Sequence, residues 1–74
     1  MSSKYPVLPP NKIIKILAKF GFEKVSQKGS HVKYKNRQTN TVYIIPMHQE
    51  IAKGTLKSIL EQANVELDEF LKFL

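Results

Sequence analysis

The sequence predicts an α+β fold in which helices cover one face of a three-stranded antiparallel sheet. Two observations favour this fold class. Apolar residues recur with helical spacing near both ends of the chain, and they alternate with polar residues in the middle, where Gly and Asn interrupt the pattern. The amphipathic helices that precede and follow the strands in the sequence can cover the apolar face of an amphipathic sheet. The expected order is helix, three strands, helix and short helix.

The first helix is predicted from Asn11 to Phe20, after an extended segment over residues 1–9. Asn11 is a suitable N-cap, and Gly21 is placed to end the helix in a left-handed conformation. Lysines occupy the opposite side at Lys12, Lys15 and Lys19. The apolar stripe of this helix consists of Ile13, Ile14, Leu17 and Phe20.

Three strands are expected between residues 22 and 46. The segment FEKVSQKGSHVKYK forms two of them, joined at Lys28-Gly29-Ser30, and TVYIIP forms the third after the polar turn NRQTN. Successive side chains of a strand point to opposite faces. Val32 and Tyr34 should therefore face the helices, whereas His31, Lys33 and Lys35 should lie on the open face.

A second helix follows the connection MHQEIAKG, with Thr55 as its expected cap and Asn64 as its end. Its apolar positions are Leu56, Ile59, Leu60 and Ala63. The closing segment ELDEFLKFL predicts a last short helix. Its apolar side consists of Leu67, Phe70, Leu71 and Leu74.

Composition limits the function classes. The 74 residues suffice for one small domain, and the absence of cysteine excludes disulfides and thiolate metal sites. No run of 18 apolar residues occurs, so we expect a soluble cytoplasmic protein with no membrane partner. Residues 1–57 hold eleven basic and two acidic side chains, and residues 58–74 hold one and four. A charge of +9 followed by −3 suits a polyanion bound to one side of the domain, although lysines can also serve solubility alone.

His31 is the residue that most clearly suggests catalysis. Histidine exchanges protons near neutral pH with the least tuning, so it can act as a general base. The Gly29-Ser30 turn before it allows another chain to approach the backbone, and Lys28, Lys33 and Lys35 offer phosphate contacts. The alternative is a solvated structural histidine on an ordinary hairpin.

A metal site and an anion site are less clearly indicated than catalysis by His31. His31, His48 and Glu50 lack any spacing typical of a metal site, so no metal is expected. The segment AKGTLK is either a plain helix start or an anion site. In the second case Lys53, Thr55 and Lys57 would surround free backbone N–H groups.

Most of the chain resembles one known family. The segments LPPNKIIKILAKFGFEKVSQKGSHVKYK and VYIIPMHQEIAKGTLKSILEQANVELDEFLKFL resemble the HicA toxins of HicA–HicB toxin–antitoxin systems, from Leu8 to Leu74. The most specific blocks are GF…V.QKGSH..Y, IP.H..I..GTL.SIL.QA and the final EF…L. One departure concerns Val32, because many members have a second histidine there; the strand alternation places that position towards the core.

The resemblance implies a fold similar to double-stranded-RNA-binding domains. It also implies a metal-independent mRNA endoribonuclease that needs no cofactor, with the family's catalytic histidine at His31. The helix start near Thr55 would contact phosphates through Lys53 and Lys57. A HicB-like antitoxin would cover the His31 face. From the residues alone, a non-catalytic RNA-binding module stays open as the alternative, and a DNA-binding domain is disfavoured because no helix-turn-helix is evident.

Overall fold

The computed structural model of the protein describes residues 5–74, so residues 1–4 of the predicted N-terminal extended segment lie outside the described part. Residues 5–74 form three helices and three strands. Their bounds are α1 (Pro10–Ala18), β1 (Phe22–Lys28), β2 (His31–Asn36), β3 (Thr41–Pro46), α2 (Lys53–Ala63) and α3 (Leu67–Leu71). The predicted order and the α+β fold class are confirmed. No helix in residues 5–74 is long and apolar enough to span a membrane.

Helix α1 begins earlier and ends earlier than predicted. Pro9 is its N-cap and Pro10 its first residue, so the prediction of Asn11 as the cap is wrong. Proline suits this position because its φ is fixed near the helical value and its missing N–H needs no partner. The helix ends at Ala18 instead of Phe20, and N–H groups of residues 19–21 then reach back only three residues. Gly21 has the predicted positive φ of 102°.

The sheet has the order β1-β2-β3 with antiparallel pairing throughout. A bulge between Lys24 and Ser26 interrupts the register of β1 against β2. The β1–β2 turn contains only Gly29 and Ser30, and Gly29 has a φ of 61°. A glycine with positive φ at the first turn position is typical of a two-residue type II′ hairpin.

Asn36 connects the sheet to the end of α1. Its side chain is buried, and its Nδ2 donates to the carbonyl oxygen of Phe20 over 2.7 Å. Its Oδ1 accepts from the backbone N–H groups of Gln38 and Thr39. The amide thus satisfies three backbone groups at the corner where the β2–β3 loop passes the first helix.

Helix α2 starts at Lys53 with Ala52 as its N-cap, so the prediction that Thr55 caps it is wrong. Thr55 is the third residue of the helix, and no side chain of residues 5–74 caps this end. Asn64 closes the helix in a left-handed conformation, as predicted. Asparagine tolerates that conformation better than most residues because its side chain can hydrogen-bond locally.

One hydrophobic core lies between the helices and one face of the sheet. The predicted core positions of α2 are all buried, as is Val32 on β2. In α3 Phe70 is fully buried, but Leu74 is 53% exposed, so its assignment to the packed side of the last helix is wrong. The buried apolar residues are Ile13, Ile16, Leu17, Phe22, Val32, Tyr43, Ile45, Ile51, Leu56, Ile59, Leu60, Ala63 and Phe70.

Candidate functional site

His31 is the first residue of the central strand, and its side chain is exposed. It pairs with Lys28 of β1 and with Pro46 of β3. Directly opposite residues of antiparallel strands project on the same face. Because Val32 is buried beneath the sheet, the alternation of β2 places His31 on the open face, as predicted.

The imidazole of His31 lies in an open hollow on this face. The hollow is lined by Ser26 and Lys28 of β1, His31 and Lys33 of β2, and Ile44 of β3. Ser26 and Ile44 are the two register partners of Lys33. An imidazole, two ammonium groups and a hydroxyl therefore share one surface, which can bind an anion and exchange a proton.

The β1–β2 turn is joined to the end of β3. The backbone N–H of Met47 donates to the carbonyl oxygen of Ser30 over 2.6 Å. This bond holds the turn immediately before His31 and therefore fixes the start of β2. A Cβ atom built on Gly29 would meet no other atom of residues 5–74 within 4 Å, so the turn is open on that side as far as the described chain goes.

Lys35 lies farther along the same face, away from the hollow. Its register partners are Glu23 on β1 and Val42 on β3. The carboxylate of Glu23 accepts a hydrogen bond of 2.6 Å from Nε of Arg37. Both side chains of this ion pair are more than half exposed, so it contributes little to stability. Arg37 nevertheless compensates the negative charge of Glu23, the residue opposite Lys35.

The other predicted contact group lies at the start of α2. Lys53 and Lys57 are exposed and Thr55 is half-buried, and none of the three lines the hollow around His31. The N–H groups of a helix's first turn have no partner within the helix, and no side chain in the described part of the chain caps them here. The structure therefore separates the predicted residues into two groups, one on the sheet and one at this helix end.

The aromatic residues of the strands lie on the opposite face of the sheet. Tyr34 and Tyr43 stack with their ring centroids 5.2 Å apart and their planes 6° from parallel, and Phe22 meets Tyr43 edge-on. Burial raises the pKa of Tyr34, and burial and then the neighbouring Tyr34 raise the pKa of Tyr43. These rings pack under the helices, so they offer no stacking surface beside His31.

Metal ligands are not gathered in the described residues. Within residues 5–74 no group of three or more His, Cys, Asp or Glu side chains is close enough to hold a metal ion. His48 is exposed in the connection after β3 and is at a different place from the hollow.

Sequence reasoning missed two residues of the hollow, Ser26 and Ile44. Ser26 faces Lys33 only because the bulge shifts the register of β1 between Lys24 and Ser26. A bulge at this place has no Gly or Pro to indicate it. The position of Ile44 could have been predicted from the alternation of β3. Tyr43 and Ile45 on either side of it are buried, so Ile44 projects on the open face.

Comparison with protein families gives a match over most of the chain. A family model described as the HicA toxin of bacterial toxin–antitoxin systems matches residues 10–65, which is most of the chain. The match covers α1, the whole sheet and α2, and it includes every residue of the hollow. No curated protein matches the sequence.

Proposed function

Because the chain belongs to the HicA toxin family of bacterial toxin–antitoxin systems, we propose that it is a metal-independent endoribonuclease that cleaves mRNA. The observation that carries this proposal is the exposed imidazole of His31 in a hollow that also holds Lys28 and Lys33. Histidine can remove a proton near neutral pH, and the lysines can hold the phosphate that reacts. The whole chain, residues 1–74, acts as a single toxin domain in this proposal.

The reaction uses the ribose itself as the nucleophile. His31 takes the proton of a 2′-OH, and the oxygen attacks the adjacent phosphorus atom while the bond to the 5′ oxygen of the next nucleotide breaks. The products are a 2′,3′-cyclic phosphate and a 5′-OH end. The leaving oxygen receives a proton from a lysine, from water, or from the imidazolium of His31 in a second step. DNA lacks the 2′-OH and is not cut.

The remaining site residues bind the RNA backbone. Lys28 and Lys33 flank His31 and stabilise the charge that develops on the phosphate. Lys35 binds the next phosphate along the face, and the Gly29-Ser30 turn allows the strand to approach closely. A further phosphate contacts the start of α2, where uncapped N–H groups lie with Lys53, Thr55 and Lys57.

A non-catalytic RNA-binding module would use the same basic face. Such modules commonly stack bases on exposed aromatic rings. Phe22, Tyr34 and Tyr43 are the aromatic residues of the strands, and all three lie on the helix-covered face. This arrangement favours the catalytic interpretation.

The toxin acts in the cytoplasm, where mRNA is translated, and a HicB-like antitoxin restrains it. The antitoxin covers the His31 face with a surface that is acidic or apolar, because that face is basic with an exposed apolar side chain. A saturating amount of antitoxin should then stop cleavage. Unchanged cleavage in such a mixture would contradict this partner.

The test compares His31→Ala with the unchanged protein on a purified mRNA in the presence of EDTA. We expect the variant to lose roughly 10²- to 10⁴-fold in rate, the range typical of a general base. RNA binding and the circular dichroism spectrum should persist. His48→Ala is the matched control, because it removes an exposed imidazole from the loop after β3 and should keep full activity.

Three outcomes would contradict the mechanism. Loss of cleavage by the unchanged protein in EDTA would indicate a metal. Equal losses in the two histidine variants would remove the special role of His31. Rapid cleavage of an all-2′-deoxy substrate would exclude attack by the 2′-OH.

A further inference from the structure

The open face of the sheet has an apolar strip beside its basic residues. His31, Lys33 and Lys35 of β2 lie opposite Pro46, Ile44 and Val42 of β3, respectively. Each basic side chain therefore has one apolar neighbour on the same face. We define the basic row as these three residues of β2 and the apolar strip as their three partners on β3. Pro46 and Val42 are half-buried, while Ile44 is 42% exposed.

Ile44 lies at the centre of the apolar strip, and its backbone is tied to helix α2. Its backbone N–H donates to Oε1 of Gln62 on α2 over 3.1 Å. That N–H points away from β2, so the bond fixes the outer side of β3 at this residue. The side chain forms the apolar wall of the hollow, with His31 and Lys33 beside it. The isoleucine side chain in this position offers apolar contact to a bound strand beside the two basic groups.

A single strand of RNA has the matching chemistry. It carries a row of charged phosphates along one side and a row of largely apolar base faces along the other. Residues two apart on a strand are about 7 Å apart, close to the spacing of successive phosphates in an extended nucleic-acid strand. The basic row and the apolar strip thus match the two sides of the strand.

We propose that the apolar strip is a base-docking surface for single-stranded RNA, with Ile44 in contact with the face of the base next to the phosphate at His31. This inference rests on the proposed function for the position of the scissile phosphate. Contact with an aliphatic side chain uses the base face and makes no hydrogen bonds to base edges, so all four bases are accepted. A duplex keeps its base faces stacked inside and cannot reach Ile44.

Binding tests the docking surface without any need for cleavage. The probes are a short single-stranded 2′-fluoro oligonucleotide, which lacks the nucleophile, and an abasic strand of the same length and charge. The unchanged protein should bind the strand with bases about fivefold more tightly, the effect of burying part of one isoleucine side chain. Ile44→Thr, which keeps the β-branch and leaves Pro46 and Val42 in place, should lose most of this preference.

The control variant is Val7→Thr. Val7 is 45% exposed, close to the 42% of Ile44, and it lies in the segment before α1 instead of on the sheet. It makes the same change from an aliphatic to a hydroxylated β-branched side chain. We expect this variant to keep the preference for the strand with bases.

Cleavage gives a second measurement. Ile44→Thr should raise KM about fivefold with little change in kcat, because the base contact is made equally before and during the reaction. The unchanged protein should cut a single strand in preference to the same sequence in a duplex. Loss of this preference in Ile44→Thr would agree with docking on Ile44.

The outcomes separate the docking surface from the proposed function. Equal binding of the two strands by the unchanged protein, or an equal loss for both strands in Ile44→Thr, would overturn the docking surface. The docking surface would also be overturned if Ile44→Thr kept its base preference but lost affinity for the antitoxin, because the strip would then be a protein-docking surface. If no form of the protein cuts RNA but base preference still depends on Ile44, the proposed function fails and the docking surface stands.

Discussion

The two faces of the sheet are built from alternate residues of the same strands, yet they differ in burial, polarity and charge. On the helix-covered face Val32 and Ile45 are buried, and Tyr34 stacks on Tyr43. On the open face His31 and Lys33 are exposed to solvent. Neighbours along the chain thus lie in an apolar core and in a basic, hydrated surface.

The difference shows how one short strand can contribute to stability through one face and carry the candidate functional residues on the other. A slip of one residue in register would bury His31 and expose Val32, so burial of the apolar face fixes the register strongly. The same register sets which side chains are neighbours on the open face. The core therefore places His31 between Lys28 and Pro46 although none of these side chains is needed to hold the core.

The largest expected difference between the faces is in stability and compares Ile45→Ala with Ile44→Ala. Ile45 is 0% exposed and Ile44 is 42% exposed. The first change should lower the free energy of unfolding by about 3 kcal/mol, because it removes buried methyl groups and leaves a cavity. The second should cost less than about 1 kcal/mol. Urea unfolding measures both, with Ile45→Val as a milder variant if Ile45→Ala does not fold. Similar losses for both alanine variants would mean that the open face also carries packing.

A smaller effect is expected for Tyr43→Phe. The ring is fully buried, and its hydroxyl has no hydrogen-bond partner in the described residues 5–74. An unpaired buried hydroxyl costs free energy, so its removal should raise the free energy of unfolding at pH 7 by about 1 kcal/mol. Thermal or urea unfolding measures the change. A loss of stability instead would indicate that the hydroxyl is satisfied.

The same residue predicts a dependence on alkaline pH. Burial and then Tyr34 raise the pKa of Tyr43 above its usual value in the folded protein. The folded state therefore holds this proton more tightly than the unfolded chain, whose tyrosine pKa is about 10. Stability should be intact below that pH and should fall as pH rises above it. Tyr43→Phe should weaken the fall, leaving the part due to Tyr34, whose pKa burial also raises.

The smallest effect compares Lys33→Gln with Lys15→Gln. Both lysines are exposed, but Lys33 is in the hollow and Lys15 is on α1. Loss of one phosphate contact should lower the salt dependence of single-strand binding by about 0.7 in log–log slope and weaken binding a few-fold. Lys15→Gln should change the slope much less. Fluorescence anisotropy at several salt concentrations measures both, and equal slopes for the two variants would remove the distinction between the hollow and the general positive charge.

Much of the fold could be predicted because local pattern and burial agreed. The stripe of α2, the turn at Gly29 and the end at Asn64 all follow from residue types with strong preferences. The starts of the helices were predicted less well. Asn11 and Thr55 are good caps by type, but Pro9 and Ala52 occupy the capping positions. Cap preferences are worth about 1 kcal/mol, which tertiary packing can easily exceed.

The class of the fold, the family and the face on which His31 lies follow from the order of residues alone, because periodicity and motif are properties of neighbours along the chain. Which side chains from other strands join His31 depends on how the strands pair in the folded protein. Ser26 depends on a bulge in β1, and Ile44 depends on pairing between β2 and β3. Register between strands is set by the burial of the core as a whole, so no local segment contains it.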